Sequence, residues 1–151
     1  MMAEMNAPPG MAPRILAVDD QPENLELLAA ILSDEGFDVG FASDGLAALE
    51  AVAAHPPQAI LLDIMMPEMD GFEVCRRIKG TRPTCFIPVV MLTALSDVES
   101  KSRGFEAGAD DFLNKPFHRI ELLTRLRSLL RIRGLRDELD STEALIFSMV
   151  H

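Results

Sequence analysis

The chain is poor in the residues that mark secreted, membrane-bound or nucleic-acid-binding proteins. It has two cysteines in 151 residues, Cys75 and Cys85. Their spacing is not C-x-x-C and suggests no disulfide framework. Both read as small apolar packing residues, and a reducing cytoplasm is the compartment this implies. No apolar run approaches the roughly 20 residues that cross a bilayer, so no membrane partner is expected. The start of the chain lacks the basic-then-apolar order of a secretory signal. Basic residues are scarce too, 14 against 24 acidic for a net charge of −10. That balance argues against nucleic acid as a direct partner of this segment.

What is present is a chain 48% hydrophobic, long enough for one domain and a short appendage. Its organising stretch is Ile60-Leu61-Leu62-Asp63-Ile64-Met65-Met66-Pro67-Glu68-Met69-Asp70-Gly71. A short apolar run of this kind reads as a strand buried on both faces, as in a parallel sheet. A carboxylate cannot stay inside such a sheet without a partner or a metal. Asp63 is therefore expected at the strand's carboxyl edge, where open α/β sheets bind ligands.

The pattern repeats along the chain. Residues 1–12, rich in Met, Ala, Pro and Gly, read as a disordered leader. Strands are predicted over 14–18, 38–42, 59–62, 88–92 and 111–114. A helix follows each. The first opens at Pro22, carries Leu25, Leu28, Ala29 and Leu32, and stops at Gly36. The second is capped by Ser43 or Asp44 and presents Leu46, Leu49 and Ala53. The third runs from Phe72 to Lys79 with Val74, Cys75 and Ile78 inward, and closes at Gly80. The fourth opens on a Ser96-x-x-Glu99 capping box and runs to about Ala107 before Gly108. The fifth begins near His118, a poor cap and an improbable metal ligand. Five strand–helix units predict a parallel sheet with helices on both faces.

Four strand ends then share one edge: Asp19-Asp20, Asp63, Thr93 and Lys115. Singly, each has an ordinary explanation as a turn, a cap or a β-former. Together they make a site. Three carboxylates remain ionised side by side only next to a cation, and oxygen donors without Cys or His select Mg²⁺ or Mn²⁺ over zinc. A divalent ion, an ammonium and a hydroxyl around one carboxylate match the three equatorial oxygens of a phosphoryl group in transfer. Asp63 is the expected nucleophile. Asp19 and Asp20 are the expected metal ligands, and Lys115 and Thr93 neutralise developing charge.

The ordered set Val18-Asp19-Asp20, Leu62-Asp63 through Gly71, Met91-Leu92-Thr93-Ala94 and Gly108-Ala109-Asp110-Asp111-Phe112-Leu113-Asn114-Lys115-Pro116-Phe117 resembles the receiver domain of two-component response regulators over about residues 14–130. The resemblance implies a (βα)5 flavodoxin-like fold of strand order 2-1-3-4-5. It implies that Asp63 takes a phosphoryl group from the phosphohistidine of a sensor kinase or phosphotransfer protein. It implies Mg²⁺ held by Asp20, Asp63 and the backbone carbonyl of Met65, with Asp19 helping through water. Thr93 and Phe112 match the family's switch pair, Ala94 leaves space for phosphoryl oxygens, and Lys115-Pro116 carries a cis peptide. The fourth helix, fifth strand and fifth helix form the surface that responds. The chain is then a signalling switch rather than an enzyme with turnover. A bulky Met65 beside the acyl phosphate predicts slow self-dephosphorylation.

Two other readings fit these residues less well. A constitutive interaction module would have no need of Asp19, Asp20, Asp63, Thr93 and Lys115 together. A small Mg²⁺-dependent aspartyl phosphatase resembles D-x-D on its first strand, which is not the pattern here. Beyond the domain, assigned to 13–131, lies a coiled-coil-like linker over 132–151. Ile132, Leu135, Leu139, Thr142, Ile146 and Met149 follow 3,4 spacing, which predicts helix pairing and a homodimer. The pattern runs to His151, so a longer protein with an output domain in cis is expected. The run from Asp140 to Val150 resembles the lead-in to an HD-GYP phosphodiesterase, with a diguanylate cyclase as the next candidate.

Overall fold

The computed structural model describes residues 12–94 and 97–150, as helical backbone alone beyond residue 134. The expected leader and the side chains of the linker seam from Leu135 onward lie outside the described residues. Element order is β1 (Arg14–Val18), α1 (Pro22–Asp34), β2 (Asp38–Ala42), α2 (Gly45–Ala54), β3 (Ala59–Asp63), α3 (Gly71–Lys79), β4 (Val89–Thr93), α4 (Val98–Ala107), β5 (Asp111–Asn114) and α5 (Arg119–Val150). The five strands are parallel, as the strand–helix alternation predicts, and their order β2-β1-β3-β4-β5 is the one the family resemblance implies. Among the described residues no helix is long and apolar enough to cross a membrane.

Alternation along each strand sorts side chains into two cores. Leu16, Val18, Ile60, Leu62, Val89, Met91 and Phe112 face α2, α3 and α4. Ile15, Ala17, Ala59, Leu61, Val90, Leu92 and Leu113 face α1 and α5. Every residue of β3 and β4 is buried, which is why those strands read as continuous apolar runs. Each buried Leu or Ile contributes roughly 1.5–3 kcal/mol against leaving it in water.

Local chemistry sets the helix ends. Asp44 caps α2 by accepting from the Ala47 amide at 2.7 Å, and Asp70 caps α3 from the Glu73 amide at 2.9 Å. The fourth helix departs from expectation. Its cap is Asp97, whose carboxylate accepts from the Ser100 amide at 3.1 Å and the Ser100 hydroxyl at 2.9 Å. Ser96 itself lies outside the described residues. The inward face of α2 also differs. Gly45, Ala48 and Val52 are buried, whereas Leu46 is 61% exposed, Ala53 is exposed and Leu49 is half-buried. The helix seats on its small residues: a Cβ at Gly45 would stand 2.8 Å from Met69 Cβ. The strand predicted from Pro88 begins at Val89. Pro88 has no amide to give and only accepts, from the Ile60 amide at 2.9 Å.

The fifth helix is unbroken for 32 residues, about 48 Å at 1.5 Å per residue. Arg119 binds Asp34 at 3.0 Å and Glu35 at 2.8 Å, and Arg127 also pairs with Glu35. Arg133 donates to the carbonyls of Pro57 and Gln58 at 3.1 and 3.2 Å. These contacts tie α5 to the C-terminal end of α1 and to the loop before β3.

Candidate functional site

Strand register brings the site residues to one edge. Val18 pairs with Leu62 and Asp63 with Leu92, so Asp19 follows β1 level with Asp63, and Thr93 lies one residue further along β4. Thr93 in turn pairs with Asn114, the residue before Lys115. The Lys115 amide donates to the Thr93 carbonyl at 2.8 Å, joining the ends of β4 and β5. A cis Lys115–Pro116 peptide follows.

Asp19 and Asp63 are buried, at 0% and 5% exposure, as is Thr93 at 1%, and Asp20 is half-buried. Single oxygens of Asp19, Asp20 and Asp63 all lie within 4.8 Å of one another. The Lys115 ammonium donates to Asp19 Oδ2 at 3.0 Å and to Asp63 Oδ1 at 3.2 Å. The other Asp19 oxygen accepts from the Gln21 amide at 2.9 Å, so Asp19 also starts the turn into α1. His118 contributes no side chain to this group. Its carbonyl accepts from the Leu122 amide at 3.0 Å at the start of α5.

The electrostatics are those of crowded like charge. Burial, and then the Asp19 charge, push the Asp63 carboxyl above its ordinary range, and Lys115 offsets this only in part. Burial works against the Lys115 ammonium, but its bond to Asp19 and the charges of Asp63 and Asp19 outweigh that cost and raise its pKa. Two acids beside a single ammonium, with a third acid at the rim, leave negative charge uncompensated. The donor set is all oxygen and partly open to solvent, which fits a hard divalent ion such as Mg²⁺.

The loop after β3 is held by backbone. Gly71 donates its amide to the Ile64 carbonyl at 2.9 Å. The Met69 amide reaches the Pro67 carbonyl at 2.8 Å across Glu68, whose φ is +68°. This is a γ-turn on a non-glycine residue, a strained conformation. The Met65 side chain stands out into solvent, 62% exposed, and Ala94 is exposed at the end of β4. Phe112 lies apart from the carboxylates. Its ring is buried under α4, edge-on to Phe105 with centroids 4.8 Å apart. Two contacts lie beyond the sequence-based expectations, the direct Lys115–Asp19 bond and the Gly71 amide on the Ile64 carbonyl. The adjacent Asp-Gly at 70–71 was the available signal for the second.

Comparison with known proteins gives a consistent picture. The family model for the response regulator receiver domain matches residues 15–127. Response regulator PleD of Caulobacter vibrioides is 48% identical over 134 residues, covering 89% of this chain and 30% of that protein. Response regulator MprA of Mycobacterium leprae is 47% identical over 135 residues, covering 89% and 58%. The chain thus spans between about a third and three fifths of the length of these curated relatives. Among solved structures, the Vibrio cholerae chemotaxis protein CheY4 superposes with a TM-score of 0.75 at 33% identity, covering 78% of this chain and 98% of that one. NtrX of Brucella abortus gives 0.79 at 34% identity, covering 87% and 30%.

Proposed function

Because the chain belongs to the receiver domain family of response regulators, we propose that it is a phosphoacceptor switch and that Asp63 is the acceptor. The observation that carries this is the placement of Asp63 at the centre of the sheet's carboxyl edge, 3.2 Å from the Lys115 ammonium and beside two further carboxylates. An Asp63 oxygen attacks the phosphorus of a phosphohistidine on a sensor kinase or phosphotransfer protein. The O–P bond forms, the P–N bond breaks, and the imidazole leaves with the electron pair. Lys115 holds Asp63 in place and meets charge as it develops on the phosphoryl oxygens. Thr93 supplies a hydroxyl to one of those oxygens, and exposed Ala94 leaves room for another.

Asp20, Asp63 and the Met65 carbonyl would hold Mg²⁺, with Asp19 acting through water. Bound there, the ion neutralises the crowded carboxylates and the incoming phosphoryl charge. Thr93 and Phe112 then bias the surface formed by α4, β5 and α5. The unbroken α5 and the 57% exposed Ile132 at the head of the apolar seam support pairing of two copies along this helix. We assign 132–151 to a linker toward an output domain. The chain itself is a switch without turnover on a free substrate, working in the cytoplasm beside its phosphodonor.

The test is intact mass after acetyl phosphate with Mg²⁺, run beside Asp63→Asn, with oligomeric state followed in the same samples. One phosphoryl adduct dependent on both Mg²⁺ and Asp63 is expected. No adduct and no Mg²⁺ binding would replace this reading with a constitutive interaction module.

A further inference from the structure

Gly104 lies in the last turn of α4, where its carbonyl accepts from the Ala109 amide at 3.0 Å in the turn that ends the helix. Any residue can supply that carbonyl, and within a helix glycine is roughly 1 kcal/mol worse than alanine. What it does make is space. Phe112 is paired with Met91 on β4 and projects toward the underside of α4. A Cβ built at Gly104 would lie 2.3 Å from Phe112 Cζ and 2.6 Å from Cε1, with Met91 Sδ at 3.1 Å. No real Cβ sits that close to a ring carbon. The ring is 8% exposed and packs edge-on against Phe105 at 4.8 Å and 73°, so its inward site is built from Phe105 on one side and the bare Gly104 backbone on another.

We propose that Gly104 is the positioning residue of the switch: its missing side chain is the seat that admits the Phe112 ring, and any β-carbon there holds the ring outward. The proposal rests on the reading of Thr93 and Phe112 as a coupled pair. Of the groups that meet at this point, the ring has the cheapest escape, a rotation about its own χ1. The α4 backbone is fixed by its hydrogen bonds and by the buried Ala107 one turn on. Gly104→Ala therefore adds a penalty to the inward state alone, and a ligand that favours the inward state must overcome it.

The experiment compares wild type, Gly104→Ala, Phe112→Leu and the double variant, each with and without Mg²⁺ and beryllofluoride, a tetrahedral stand-in for a phosphoryl group on a carboxylate. NMR contacts of the Phe112 ring to the α-protons at position 104 and to the Phe105 ring read its position. In wild type these contacts are expected. In Gly104→Ala they should vanish, and beryllofluoride should bind about fivefold more weakly or worse, with Asp63 and Lys115 untouched. Leucine at 112 lacks the two ring atoms concerned. In that background Gly104→Ala should leave beryllofluoride affinity unchanged and raise Tm, as alanine does in a helix interior. Ring contacts retained in Gly104→Ala, or an equal affinity loss in the leucine background, overturns the proposal. If wild type takes no beryllofluoride, the phosphoacceptor reading falls and the gating role falls with it. Loss of the ring contacts in Gly104→Ala without any added ion would still decide the steric claim.

Discussion

Gly71 lies so close to Asp63 that a side chain cannot fit between them: a Cβ at Gly71 would stand 2.5 Å from the Asp63 carbonyl oxygen and 2.7 Å from Ile64 Cα. Both obstacles are backbone, and no rotamer change relieves them. The first turn of α3 thus rests directly on the end of β3, locked by the Gly71 amide on the Ile64 carbonyl.

Gly71→Ala is accordingly expected to destabilise the fold by more than about 2 kcal/mol, in the range of overpacking against an unyielding core. Because the displaced segment carries Asp63, phosphoryl transfer should fall as well. Urea unfolding reads the first effect, and adduct yield from acetyl phosphate reads the second. A variant as stable as wild type would show that α3 can lift off the strand without cost.

The carboxylate cluster should cost stability when no cation is present. Asp63 is buried beside Asp19, and its carboxyl is pushed upward by burial and by that charge. Asp63→Asn in EDTA is expected to stabilise the chain by about 1 kcal/mol, the usual direction when a strained functional group is removed. Added Mg²⁺ should then raise the Tm of wild type and do less for the variant, since ligand binding to the native state alone is what stabilises. Equal Mg²⁺ responses would take Asp63 out of the metal site.

Most of the architecture was legible because the strands announce themselves. Continuous apolar runs ending in Asp19, Asp63 and Thr93 gave both the strands and their common edge, and the parallel topology followed from alternation. What was not legible turned on close contact. In α2, where alanines outnumber larger residues, periodicity could not choose a face, and tight seating of Gly45 on Met69 turned Leu46 outward. Ser96 and Asp97 are both good caps, and only backbone geometry chose Asp97. The γ-turn at Glu68 had no sequence signal, since glutamate does not advertise positive φ.

Acid should loosen the junction between α1 and α5. Hydrogen bonds from Arg119 and Arg127 hold the Glu35 carboxyl below its ordinary value of 4.5. A group depressed in the folded state adds stability above its unfolded pKa and loses that contribution as pH falls through the folded value. The effect is therefore present at neutral pH, starts to fall as pH drops past the ordinary value of 4.5, and is gone only below the lower folded value. Glu35→Gln should lower Tm slightly at pH 7 and converge with wild type in strong acid. Parallel Tm–pH curves for the two proteins would show that the ion pairs of Glu35 with Arg119 and Arg127 contribute nothing measurable.

Met65 is two residues past Asp63 and 62% exposed, and on the proposed reading it flanks the acyl phosphate. An apolar thioether offers an attacking water no strong hydrogen bond and shields one approach to phosphorus. Asparagine at the same place supplies an amide that can hold and aim that water. Met65→Asn is expected to shorten the lifetime of the phosphorylated protein about tenfold, equivalent to about 1.4 kcal/mol of barrier, with little change in the rate of phosphorylation. The decay of the intact-mass adduct after removal of acetyl phosphate measures it. An unchanged lifetime would mean that access of water is governed elsewhere on the rim, with exposed Ala94 as the next position to vary.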